Sequence, residues 1–270
     1  MINKKLSIIV LAKQVPDTRM AGKDAMNPDG TINRAALPAI FNPEDMNALE
    51  QALQLKEMCP GSEITIITMG PERASNIVRE GLFHGADNGY LLTDVLFAGA
   101  DTLATSYVLA TAIKKIGKYD IILCGRQAID GDTAQVGPQV AEKLGLPQVT
   151  YSERILNIDN DRITIKRAFT GGVETVSAPL PLVITVNSTA AECRPRNARL
   201  VMANKNCKVT AWSVADIGAN PAKCGLSGSP TKVKKIDSIS FQAKECERFG
   251  DCDAEILSLV SELLSKHTIG

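Results

Sequence analysis

The sequence predicts an α/β fold: a doubly wound, mostly parallel sheet with a small antiparallel addition and an extended C-terminal arm. Three observations carry that reading. Short apolar runs alternate with helical patterns through the first two-thirds of the chain, as repeated βα units do. After residue 149 the rhythm changes to short strands separated by turn signals. Beyond residue 186 Pro, Gly, Lys and Ser dominate, and helical periodicity is lost until residue 253.

Residues 6–12 are a continuous apolar run, the pattern of a strand buried on both faces. Pro43 opens a helix carrying Met46, Leu49, Leu53 and Met58, with Glu44 and Asp45 in its first turn, where the helix dipole favours anions. Pro60 and Gly61 end it. Residues 64–69 form the next strand, Gly70-Pro71 turns into a helix through Ile77 and Leu82, and Gly85 stops it. Residues 88–92 form a short strand. Asp101 or Thr102 caps a helix with Leu103, Tyr107, Leu109, Ala110 and Ile113 at helical spacing. A strand over 119–124 then leads through a glycine-bearing loop into a helix that starts close to Pro138 and ends near Gly145. Right-handed crossovers between such units leave ligands at the carboxyl ends of the strands.

Residues 150–157, 162–168 and 173–177 read as antiparallel strands, with turns at Asp159-Asn160 and Gly171-Gly172. Residues 182–186 return to the main sheet. Residues 187 to about 250 read as an arm lying against a partner, because loops of that length are unusual inside a compact domain. An amphipathic helix over 254–264 closes the chain. The expected division is therefore 1–186 for the α/β body and 187–270 for the segment that follows.

A chain of 270 residues is one or two domains with a substantial core. Thirty basic and thirty acidic residues cancel, which argues against a nucleic-acid or anionic-membrane partner. Aromatics make up 4%, with Trp212 the single tryptophan, which argues against base-stacking platforms. No apolar stretch approaches the roughly 20 residues that span a bilayer. Lys4 and Lys5 precede the first apolar run, but no small-residue cleavage site follows it, so the run reads as a strand and the chain as cytoplasmic. The seven cysteines (59, 124, 193, 207, 224, 246 and 252) form no Cys-x-x-Cys pair, and His84 and His267 are the only histidines. Reduced structural thiols, with no metal, are expected. Neither histidine stands in a Ser/His/Asp-like setting, so no catalytic group of the chain's own is expected.

The most informative stretch is Cys124-Gly125-Arg126-Gln127-Ala128-Ile129-Asp130-Gly131-Asp132-Thr133-Ala134-Gln135-Val136-Gly137-Pro138. A strand, a tight polar loop and a helix N-terminus build a phosphate site from backbone N–H groups and the helix dipole. Arg126, Gln127, Thr133 and Gln135 add donors suited to phosphate or ribose oxygens. Asp130 and Asp132 would repel phosphate, so capping and orienting N–H groups is their expected work. The spacing alone leaves a purely structural βα loop open beside the nucleotide reading.

These motifs, nearly full length and in order, resemble the β subunit family of electron transfer flavoproteins. Residues 10–17 (Val-Leu-Ala-Lys-Gln-Val-Pro-Asp) match its first strand and loop, residues 41–50 (Phe-Asn-Pro-Glu-Asp-Met-Asn-Ala-Leu-Glu) its second landmark, and Met69-Gly70-Pro71 its third. Gly85-Ala86-Asp87 is similar too. The family signature runs from Ile165-Lys166-Arg167 through Gly171-Gly172-Val173-Glu174 to Pro181-Leu182-Val183-Ile184-Thr185, with Thr170 where an acidic residue is usual. Residues 228–233 resemble the family's late arm.

The resemblance implies an adenine-nucleotide-binding fold and a set of contacts carried over by position: Leu11, Asn42, Pro43, Glu44, Asp45, Met69, Gly125, Arg126, Gln127, Ala128, Ile129, Asp130, Gly131, Asp132, Thr133, Ala134, Gln135 and Val136. Members with structural AMP carry an Asp-Asp-Asp loop followed by a bulkier Asn. Gly131 and Ala134 here resemble instead the electron-bifurcating group, which holds FAD at this place, and less volume suits a longer pyrophosphate. The stretch 97–106 is similar to that group as well and adds Asp101, Thr102 and Thr105 as candidates near the flavin.

The implied function is a complex, not an enzyme alone. NADH passes hydride to FAD, one electron goes to ferredoxin or flavodoxin, and the other goes through FAD on an obligate α subunit to a dehydrogenase, with the reverse direction also open. Residues 187–270 are expected to wrap the α subunit. The alternative is a non-bifurcating β subunit with AMP. In the family's partner-recognition loop, Glu192, Cys193, Arg194, Pro195 and Arg196 stand where a Leu-Asn-Glu-Pro-Arg-like motif docks acyl-CoA dehydrogenases. Glu192 replaces the apolar anchor and Arg194 the acidic residue. Loss of an interface anchor is worth several kcal/mol in order of magnitude, which points to a flavin-dependent 2-hydroxyacid dehydrogenase, such as a lactate dehydrogenase, as partner.

Overall fold

The computed structural model describes residues 4–17, 38–159, 161–231 and 248–269. Cys246, Asn160 and the Lys232-Val233 end of the late-arm motif lie outside them. In chain order the elements are β1 (Ser7–Leu11), β2 (Gln14–Pro16), β3 (Ala39–Phe41), α1 (Pro43–Met58), β4 (Glu63–Met69), α2 (Ser75–His84), β5 (Asn88–Leu92), α3 (Thr102–Ile116), β6 (Ile121–Gly125), α4 (Val136–Leu144), β7 (Gln148–Asp159), β8 (Arg162–Phe169), β9 (Gly172–Pro179), β10 (Leu182–Val186), α5 (Ala198–Asn204), β11 (Thr210–Trp212), α6 (Val214–Ile217) and α7 (Asp253–Ser265).

Nine strands form one mixed sheet in the order β11-β5-β4-β1-β6-β10-β7-β8-β9, and β2 and β3 pair as a separate antiparallel ribbon. Neighbours from β11 to β7 run parallel, while β8 and β9 continue the sheet antiparallel. The strand order reverses at β1: β4 and β5 follow on one side, β6 and β10 on the other. That reversal opens a crevice between the carboxyl ends of β1 and β6.

Alternation along the buried strands sorts the core into two layers. Ile8 and Val10 of β1, Ile64 and Ile66 of β4 and Leu123 of β6 pack with Leu49 and Leu53 of α1 and Val78 and Leu82 of α2. Ile9, Leu11, Ile67 and Ile122 face the other way, against Val108, Leu109 and Ile113 of α3 and Val140 of α4. α1 and α2 therefore cover one face, α3 and α4 the other.

The segment after β10 differs from a featureless arm. It carries α5, lays β11 against the β5 edge of the main sheet, and turns through α6, whose Val214 and Ile217 join the core. Ser213 and Asp216 close a capping box at the start of α6. α7 forms where expected and has no buried residue, with Leu257 and Leu264 exposed.

Gly81 tests how tightly α2 sits on the sheet. Helix propensity alone favours alanine there by about 1 kcal/mol. A Cβ, however, would lie 2.6 Å from Cγ1 of Ile66, itself fully buried. Gly81→Ala is therefore expected to destabilise by roughly 1–3 kcal/mol in urea unfolding; a gain in stability would show that α2 is loosely seated.

Candidate functional site

The crevice between β1 and β6 collects most of the residues expected at the site. Leu11 and Met69 end β1 and β4, and both pack into the α3/α4 layer, so they form its floor. The loop after β6 is tied to the start of α1 by the side chains of three residues. Asn42, preceding α1, turns its side-chain amide to the loop and not to its own helix: Nδ2 donates to Gln127 C=O (2.9 Å) and Oδ1 accepts the Ile129 N–H (3.2 Å). Glu44 accepts the Gln127 N–H (2.9 Å) and the Arg126 guanidinium (3.0 Å). Asp45 accepts the Gly125 N–H (2.8 Å) on one oxygen and the Lys13 N–H (2.9 Å) on the other. Pro43 supplies the first residue of α1 without an N–H to leave unpaired. The approach is close: a Cβ on Gly125 would stand 2.6 Å from Asp45 Oδ1 and 2.7 Å from Glu44 Cβ, so only glycine fits.

Asp45 is buried, and that burial pushes its carboxyl up to about 7, against the opposing pull of the two N–H donors. The acids of the loop are held in another way. Lys13 Nζ sits on both oxygens of Asp130 (2.6 and 2.8 Å), and Gln127 Nε2 donates to Asp132 (2.8 Å). Both aspartates were expected to cap and orient backbone N–H groups; they bind side chains instead. The turn at this point is closed by Ala128 C=O, which accepts the N–H groups of Gly131 and Asp132.

Beyond this turn the backbone changes character. Asp132 (φ 47°) and Ala134 (φ 52°) are left-handed, and α4 begins with neither a side-chain cap nor an acidic residue in its first turn. Among the described residues, the N–H groups of Thr133, Ala134, Gln135, Val136 and Gly137 donate to no protein acceptor. α3 starts alongside. Thr102 Oγ1 donates to Gln135 Oε1 (2.9 Å), and Ser106 Oγ to Gln139 Oε1 (2.9 Å), which fixes the two helix N-termini side by side. Asp101 caps α3 through the Ala104 N–H (3.0 Å) and also accepts the Thr231 N–H (3.1 Å), so its carboxylate is spent on the fold. Thr105 lies one turn further along α3, half-buried.

The expected partner-binding residues occupy a different place, across the α1/α2 face. Arg194 turns inward: its guanidinium grips Glu50 of α1 (2.9 and 2.8 Å) and Glu57, and its C=O meets His84 Nδ1 (2.8 Å). Cys193 is half-buried, and burial pushes its thiol up to about 12, so it is no thiolate nucleophile. Glu192, Pro195 and Arg196 are exposed, Arg196 pairing with Glu80 at 2.6 Å. No cluster of three or more metal-ligating side chains occurs among the described residues, and none of their helices is long and apolar enough to cross a membrane. Sequence reading missed Lys13 as a loop anchor, although its place two residues past a central strand marks it.

A family model described as the electron transfer flavoprotein domain matches residues 29–217. The electron transfer flavoprotein subunit beta of Clostridium acetobutylicum is 47% identical over 230 residues, 85% of this chain and 87% of that protein. The caffeyl-CoA reductase–Etf complex subunit CarD of Acetobacterium woodii is 44% identical over 265 residues, 98% of this chain and 100% of that protein. The acryloyl-CoA reductase electron transfer subunit gamma of Anaerotignum propionicum is 41% identical over 274 residues, again 98% and 100%.

The Asp45 carboxyl gives the site a pH signature. Its folded value lies above the ordinary 3.8, so the folded chain holds a proton that the unfolded chain has released between about pH 4 and 7. Stability therefore falls as pH rises through that window, by on the order of 1 kcal/mol per unit, and levels off above it. Asp45→Asn cannot titrate and is less stable throughout, since its NH2 faces one of the two N–H donors. Urea unfolding at pH 5 and pH 7.5 should show the parent losing more stability than the variant; equal losses would refute the assignment.

Proposed function

The chain belongs to the electron transfer flavoprotein family, and from that premise we propose that it is a β subunit whose crevice between β1 and β6 holds FAD within an electron-bifurcating complex. The observation that carries the reading is the run of N–H groups from Thr133 to Gly137, unspent among the described residues, at an uncapped helix start. Five such donors suit the oxygens of a pyrophosphate. The residues fit the group in charge as well, because Asp130 and Glu44 are matched internally by Lys13 and Arg126. Those five N–H groups would hold the phosphates, with Leu11 and Met69 as the apolar floor. When bound, FAD supplies the acceptance of hydride and the release of single electrons.

Two residues favour FAD over AMP. A Cβ on Gly131 would meet nothing within 4 Å, so chain packing does not require glycine there, and the space is left to a ligand. Ala134 stands at φ 52°, where asparagine is the more comfortable residue. A small side chain held in that conformation supports a volume limit set from outside the backbone. The reaction proposed takes hydride from NADH and divides the electrons between ferredoxin or flavodoxin and, through the α subunit's FAD, a dehydrogenase. Co-expressed with its α subunit, the chain should release two FAD per heterodimer and no AMP. One FAD plus one AMP would establish the non-bifurcating alternative. Ala134→Asn should hold or raise the melting temperature while emptying this site of FAD; a variant that keeps its second FAD would remove the volume argument.

The dehydrogenase is proposed to be a flavin-dependent 2-hydroxyacid type, such as a lactate dehydrogenase. Exposed Glu192, where an apolar anchor is usual, supports this. The electron transfer heterodimer used as bait should retain such an enzyme from its host's lysate; recovery of acyl-CoA dehydrogenases alone would overturn the assignment.

A further inference from the structure

Tyr151 stands in the left-handed region, at φ 59°, where a bulky side chain is seldom found. It sits where β7 slips register against β10, between the Ile184 and Val186 pairings, and just before a second slip against β8, between Ser152 and Arg154. The strained backbone is held by its own N–H, which donates to Oγ1 of buried Thr185 (3.1 Å), and by the Asn187 N–H on Ser152 C=O (2.9 Å). Glycine would take this conformation without strain. Any advantage of tyrosine must therefore come from what its ring touches.

Tyr151 is 38% exposed, and its ring lies under the Arg126 guanidinium, whose Cζ is 5.7 Å from the ring centroid. Among the described residues Arg126 Nε is buried without a hydrogen-bond partner, so Glu44 and Tyr151, through its ring and its hydroxyl, are what fix the guanidinium plane. Glu44, buried, spends its other oxygen on the Gln127 N–H at the root of the loop. Thr185, which holds the strained backbone, also touches the start of α4: a Cβ on Gly137 would lie 2.7 Å from its Cγ2.

We propose that Tyr151 is a positioning residue for the nucleotide loop: its ring fixes Arg126, Arg126 fixes Glu44, and Glu44 fixes the loop backbone. The inference rests on the reading of that loop as a nucleotide cradle. The test titrates FAD and AMP into the full-length chain in its heterodimer, after removal of bound nucleotide. Tyr151→Gly relieves the backbone, so its melting temperature should equal or exceed the parent's while nucleotide binding weakens about tenfold. Tyr151→Phe, which keeps the ring and loses the hydroxyl's contact with Arg126, should bind clearly more tightly than Tyr151→Gly. In an Arg126→Met background, Tyr151→Gly should cost nothing further, a coupling that a bulge of purely structural importance would not show. Parental affinity in Tyr151→Gly, a lowered melting temperature, or an undiminished loss in the Arg126→Met background would each overturn the inference. A parent that binds neither FAD nor AMP overturns the site itself, and is distinguishable from a binding parent with an unaffected Tyr151→Gly.

Discussion

Two adjacent acidic residues at the start of α1 hold the carboxyl edge of the sheet together. Asp45 bridges the switch point itself, taking one N–H from the last residue of β6 and one from the residue two past the end of β1. Glu44 takes the next loop N–H and its counter-cation. A helix N-terminus would ordinarily offer its own dipole to a bound anion. α1 has that end filled by the chain's own carboxyl groups, so it works as a clamp. Burying Asp45 is costly, and the two N–H donors offset only part of that cost, which is why its carboxyl titrates so high.

The same arithmetic shows where a ligand is welcome. Each acid facing the loop is matched, Asp130 by Lys13, Glu44 by Arg126 and Asp132 by the Gln127 amide. Most of the earlier N–H groups of the loop are matched too, those of Gln127, Ile129, Gly131 and Asp132 to Glu44, Asn42 and the Ala128 carbonyl. Among the described residues the unmatched donors gather from Thr133 onward, with Ala128 and Asp130 the isolated cases before it, and there α4 begins uncapped beside the start of α3. The uncompensated positive end therefore belongs to the α3/α4 face, and the loop reads as two halves, one spent on holding and one left for binding.

Most of the central sheet was legible because buried parallel strands are short continuous apolar runs; β5 falls on residues 88–92 as the sequence alone indicates. The elements that escaped lack such a signal. β2, β3 and β11 are three residues each, and α5 has no buried residue and hence no apolar stripe to read. At the site, the loop was legible from its grammar of strand, glycine and helix start. The partners of Asp130 and Asp132 were not, because Lys13 is 117 residues from Asp130 and only the sheet order brings them together. Tyr151 was beyond sequence reading altogether, since nothing in a strand pattern announces a left-handed tyrosine.

Arg194 shows how a departure from a family motif is explained by the fold. An arginine where an acid is usual looks, in sequence, like a reversed charge offered to a partner. Its guanidinium is committed to Glu50 and Glu57, and Glu50, at 5% exposure, would be a buried unpaired charge without it. His84 reinforces the seam from below: Nδ1 meets the Arg194 carbonyl and Nε2 the Glu80 carboxylate. The backbone of this segment is therefore preset by α1 and α2, and a partner docking there would find little left to order. What the segment offers for discrimination shrinks to the outward side chains, Glu192, Pro195 and Arg196, of which Glu192 alone is a charge not already committed to an ion pair.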